Sequence, residues 1–171
     1  MAIKGLKQTS STVSIGFNFT ESAANTFTEE QVDLNLDVLN REVFVVLAID
    51  LDVGEPDALA GTDTSTTTSL TTTSQTALAN IGNSNCLARK QHAIRAAGFV
   101  DGGVGFVSAA IESPASQLDY LGIIATNDFF VQLQGTNNGT PRTMAGKIYG
   151  YRAVATADIY AALVQSEVLS A

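Results

Sequence analysis

The chain is poor in the residues from which most active sites and staples are built. It has one cysteine, one histidine, three prolines and no tryptophan in 171 residues. A single thiol, Cys86, excludes an internal disulfide, so a small disulfide-stapled fold is ruled out. It also leaves no cysteine set for a metal, and a structural thiol is the plain reading. Any histidine-based base or metal triad has only His92 to use. That residue lies among Arg89, Lys90 and Arg95, with no carboxylate close in sequence to orient it. Charged residues make up only 15%, well below the usual quarter. No apolar run approaches the length needed to span a bilayer. The glycines of Asp101-Gly102-Gly103-Val104-Gly105 are crowded too closely for a dinucleotide loop, and no phosphate-loop lysine occurs. Enzymes thus lose their usual instruments, and no enzymatic activity is expected.

What charge there is divides unevenly. Residues 1–63 carry eleven acids and three bases, net −8, and the remainder carries six of each. Nucleic-acid binding needs clustered Lys and Arg, so direct sequence-specific binding is not expected. Arg89, Lys90 and Arg95 form the one basic cluster. It reads as a solvated face, as a patch that meets the acidic half of a neighbouring subunit, or as a contact with a genome or anionic lipid. The opening residues MAIKGLKQTSSTVSIG have no apolar core of signal-peptide length. Synthesis in a cytoplasm without Sec-type export is the expectation.

The apolar pattern is that of strands. Val13, Ile15, Phe17 and Phe19 alternate with small or polar residues, and so do Val32, Leu34, Leu36 and Val38. Residues 42–53, EVFVVLAIDLDV, are almost continuously apolar and rich in β-branched residues, and read as a central strand covered on both faces. Residues 64–76, TSTTTSLTTTSQT, hold eight threonines and no charge. Leu70 is their only large apolar side chain, so a hydrophobic core segment is not expected. Threonine favours strands because its branched Cβ suits a pleated surface. One or two strands over 64–79 are expected, with hydroxyls paired to other strands or to another subunit. Segment 86–97 fits a strand or a helix. Residues 98–105 read as a glycine loop, 106–112 as a short strand, and SPAS as a turn. Strands follow at 119–125, 129–135 and 143–155, the last two joined by TNNGTP as a hairpin. Ile159, Leu163 and Val164 fall at helical spacing after Thr156, a candidate cap, and predict a short C-terminal helix. About eight antiparallel strands and one helix in a single domain spanning residues 1–171 predict an all-β sandwich or jelly roll.

Three patches retain chemical interest. Asp50, Asp52 and Asp57 supply hard oxygen atoms suited to Ca²⁺. The EF-hand order is not kept, because Gly54 takes the fifth position and no Glu falls at the twelfth. Tyr149 and Tyr151 alternate on a strand and would suit a sugar-stacking platform or a place under a helix. Thr67 and Thr72 lie in an uncharged strand that can meet another subunit without desolvating charge. On that reading Thr67→Lys and Thr72→Lys impair assembly more than folding.

The C-terminal block DYLGIIATNDFFVQLQGTNNGTPRTMAGKIYGYRAVATADIYAALVQSEVLSA, residues 119–171, reads as paired strands closed by a terminal helix. In this it resembles the small single-jelly-roll coat proteins of icosahedral, internal-membrane viruses of bacteria and archaea. The resemblance is one of pattern and carries over no functional residue. It implies a capsid subunit of the virion, without a cofactor, whose partners are copies of itself and other virion proteins. Thr67, Thr72, Arg89, Lys90 and Arg95 are then the candidate interface residues. A phage decoration, turret or tail-tube protein is the nearest alternative, and a tube subunit should carry a long hairpin tipped by TNNGTP. A carbohydrate-binding β-sandwich is the alternative from another class, with Tyr149, Tyr151 and the 50–63 segment as its site.

Overall fold

The computed structural model describes residues 3–98, 106–110 and 118–171. Of the expected glycine loop 98–105, residues 99–105 lie outside the described residues, as do the end of the expected strand 106–112 and the SPAS turn. Ten strands occur among them: β1 (Leu6–Gln8), β2 (Val13–Thr20), β3 (Thr28–Asp33), β4 (Glu42–Val53), β5 (Thr64–Thr71), β6 (Cys86–Arg95), β7 (Phe106–Ala110), β8 (Gly122–Ile124), β9 (Asp128–Thr136) and β10 (Thr143–Ala155). One helix, α1 (Ala157–Leu169), follows. Segment 86–97 resolves as a strand.

Every strand pair is antiparallel. In one sheet β10 pairs with β4 on one edge and with β1 and β2 on the other, and β8 lies beyond β4. The second sheet runs β3-β9-β5-β6-β7. The order β2-β10-β4-β8 opposite β3-β9-β5-β6 is the interleaving of a jelly roll, two Greek keys wound into one sandwich. The expected β9–β10 hairpin does not form. The turn chemistry of residues 137–142 is real, but it carries the chain from one sheet to the other.

The space between the sheets is filled by Leu34, Phe44, Val46, Leu70, Ile124, Phe129, Val131, Leu133 and Ile148. Phe17 meets Phe129 edge to face, with centroids 5.6 Å apart. A second core lies where α1 covers the outer face of the first sheet. There Val43, Val45, Ala153 and Ala155 pack against Ile159, Leu163 and Val164. This explains the double-faced burial expected of β4, and also its limit. Val43 to Val46 are all buried, but beyond them Ala48, Asp50 and Asp52 are exposed. Thr156 has the extended backbone of a helix cap but makes no side-chain cap bond.

The alternating run 31–38 is only partly a strand. β3 begins earlier and stops at Asp33, because Asn35 takes a left-handed conformation at φ 51°. Leu34 and Leu36 still point inward. Asn127 holds their amides, through its carbonyl at 2.8 Å and its side chain. Arg152 donates to the Leu34 and Asn35 carbonyls. Val38 lies in a single 3-10 turn and is 45% exposed.

The threonine run is interior, contrary to expectation. β5 sits between β9 and β6, and Thr66, Thr68, Ser69, Leu70 and Thr71 are fully buried. A central strand has both backbone edges satisfied, so short polar side chains are tolerable where each hydroxyl finds an acceptor. Thr68 donates to the Gln132 carbonyl at 2.7 Å. Ser69 donates to the Gln132 side chain at 2.7 Å. Thr66, on the same face as Thr68 and Leu70, has a buried hydroxyl with no partner. The same substitution should therefore have opposite signs two residues apart. Thr68→Val should lower stability by about 1 kcal/mol, and Thr66→Val should raise it by on the order of 1 kcal/mol. Urea unfolding of the two variants checks this.

Candidate interaction surfaces

Loops β2–β3, β4–β5 and β9–β10 meet at one end of the sandwich, and polar side chains clasp them together. Glu21, 4% exposed, accepts from the Gly135 amide at 2.6 Å and from the Arg142 amide at 2.8 Å. Asn138 exchanges bonds with Asn25, accepts from the Asp57 amide at 2.9 Å and donates to the Ser65 carbonyl at 2.9 Å. Asp57 pairs with Arg142 at 3.1 Å and accepts from the Gly139 amide. Asp63 caps the end of β6 by accepting from the Ala97 and Ala96 amides. Those amides, with Arg95 beside them, hold its carboxyl below the usual value. These carboxylates organise backbone and leave little capacity for a ligand.

The opposite end differs. It gathers the β3–β4 and β5–β6 connections, the β8–β9 turn and the last turn of α1. Glu167 ties the last three: it accepts from the Ala125 amide at 2.8 Å and the Thr126 amide at 3.1 Å, and its own carbonyl accepts from Asn85, while Asn127 of the same turn holds the β3–β4 connection. Burial pushes the Glu167 carboxyl up, and the two amides pull it back only in part. On these tied elements sit Leu39 (92% exposed), Ile81, Val168 and Leu169 (75%). Sequence periodicity overlooks them because no strand or helix stripe contains them. Glu167 was detectable in principle, since it continues the stripe Tyr160, Leu163, Val164 at helical spacing.

The residues singled out from sequence are dispersed. Asp50 and Asp52 share the exposed face of β4, but Asp57 is engaged by Arg142. Among the described residues no three His, Cys, Asp or Glu side chains converge to hold a metal ion. Thr67 and Thr72 are each 4% exposed in the single chain. They belong to the interior, so they offer no surface to another subunit, and lysine there should disrupt folding first. The basic cluster also separates. Lys90 reaches across the sandwich to the Leu51 carbonyl at 2.7 Å, Arg95 pairs with Asp63 at 3.1 Å, and Arg89 has a buried Nε without a partner. His92 stands opposite Thr66 in the β5–β6 ladder. Tyr151 packs in the core beneath α1, which separates it in role from half-exposed Tyr149. A cavity of about 350 Å³ lies on the β2–β10–β4 face, lined by Asn18, Phe19, Thr20, Asp52, Gly54, Thr143, Met144 and Ala145. Among the described residues no helix is long and apolar enough to cross a membrane.

No family model and no curated protein matches the chain.

The Glu167 contact makes a pH prediction. Its folded pKa is raised above the usual 4.5, so in that window the folded state holds more protons than the unfolded one. Stability then falls as pH rises through the window. Relative to Glu167→Gln, the wild type should lose melting temperature between pH 4.5 and pH 7, and a flat difference would contradict the assignment.

Proposed function

We propose that the chain is a virion structural protein, a coat subunit that assembles with copies of itself into a shell. The observation that carries the reading is the jelly-roll strand order around an interior packed with side chains. Jelly rolls serve as capsid and lectin domains and as cupins. The last use needs chemistry placed inside the sandwich, where this chain puts Leu34, Phe44, Phe129 and Ile148. A surface with few charges and an end bearing exposed Leu39 and Leu169 suits a subunit covered by neighbours. The tail-tube alternative loses its support, because residues 137–142 cross between sheets and tip no hairpin.

One observation favours a second reading, a carbohydrate-binding module. The cavity beside Asp52 brings Asn18, Thr20, Asp52 and Thr143 together, and its size is at the lower end for a small-molecule site. Tyr151 no longer contributes to such a site, since α1 covers it.

Electron microscopy of the concentrated protein, with and without calcium, separates the two. The coat reading expects uniform capsomers or closed particles. Dispersed single subunits that bind an immobilised glycan would overturn it in favour of the module.

A further inference from the structure

Among the described residues β2 is an edge strand, and the only long one without protection. One edge pairs with β10 from Val13 opposite Gly150 to Thr20 opposite Thr143. Among the described residues no strand pairs with its other edge. Alternate N–H and C=O groups along its eight residues therefore face outward, a ready template for another chain. Proteins usually blunt such an edge with lysine, proline, a bulge or brevity. The other edges follow that rule or are short. β3 carries Glu29, Glu30 and Asp33, β8 has three residues and β7 has five. β2 reads VSIGFNFT, and residues 8–20 hold no charge and no proline. Its ladder with β10 runs without a register shift. Its inward row is also incompletely covered: Ile15, Phe17 and Phe19 are half-buried and Val13 is 40% exposed.

We infer that the free edge of β2 is a docking site for β2 of a second copy of this chain, paired antiparallel about a two-fold axis. Charge selects this occupant. A second copy carries net −8, so approach at β3 sets acids against acids. Approach at β2 brings two uncharged strands of equal length together, and the nearest charge, Lys147 opposite Gly16, lies one strand away. The outward side chains near the strand centre, Ser14 and Gly16, are exposed and small, and a Cβ at Gly16 would meet only ordinary contacts. Two copies can therefore pair without side-chain collision on that face. The pairing joins two five-stranded sheets into one and covers the half-buried row. Such an isologous contact is closed, and it leaves the apolar end around Leu39 available for other contacts. The inference does not depend on the coat reading.

The test is sedimentation velocity of the full chain and of Ser14→Lys/Gly16→Lys over a range of concentration. In a two-fold pair this variant places four lysines on one sheet face, and both positions are solvent-exposed in the single chain. The wild type should dimerise, or build larger species from dimers. The variant should associate at least tenfold more weakly while staying folded by circular dichroism, with a small loss of melting temperature because Gly16→Lys faces Lys147 across the ladder. Amide exchange of the wild type gives an independent reading: residues 13–20 should gain protection as concentration rises. Equal association of both proteins, or no gain of protection while the wild type associates, overturns the edge pairing. Large particles that persist in the variant overturn it while leaving the coat reading in place.

Discussion

β10 holds the molecule together because both its backbone edges are used. Its ladder with β4 runs from Met144 opposite Val53 to Val154 opposite Glu42. Its other edge takes β2 and then β1, end to end. The first twenty residues, the middle of the chain and its last strand are thus joined by one strand. Two glycines make this geometry possible. A Cβ at Gly146 would strike the Phe17 ring, and one at Gly150 would strike the Phe44 ring and the Val45 carbonyl. Pairings this distant in sequence are closed late and against chain entropy, which predicts slow folding for such a topology.

Once β10 is placed, the remaining polar residues acquire their positions. The connection that precedes it crosses the sandwich and is clasped by Glu21, Asn138 and Asp57. The helix that follows it must fold back over Val43 and Val45, and Glu167 anchors that return to the β8–β9 turn. Among the described residues, seven carboxylates, those of Glu21, Glu29, Asp37, Glu42, Asp57, Asp63 and Glu167, accept backbone amides. This explains why Asp57, a plausible metal ligand in sequence, is already occupied in space.

Strand identity was largely legible in the sequence. The period of two in β2 survives because its other face is solvated, and β4 is apolar on both faces only where α1 covers it. Threonine propensity located β5 but could not report its depth, because an uncharged run suits either a surface or a hydroxyl-satisfied interior. The run 31–38 misled because Leu34 and Leu36 alternate correctly around Asn35, whose left-handed backbone ends the strand. TNNGTP announced a turn but not which sheet would receive the next strand. Of the proposed surfaces, the uncharged β2 edge was visible as composition only. It is an edge because β10 is its one ladder partner among the described residues. The clasp of Glu21 with Arg142 joins distant segments and leaves no local pattern.

Taken together, the packed interior, the weakly charged exterior, the exposed apolar residues Leu39 and Leu169 and the open β2 edge support the proposal of a subunit that assembles with copies of itself. The most direct test is the weight-average mass of the purified chain by static light scattering as concentration rises. The account predicts a mass that climbs from 17.9 kDa through discrete multiples. A mass that stays at that of the single chain at every concentration and salt would contradict it.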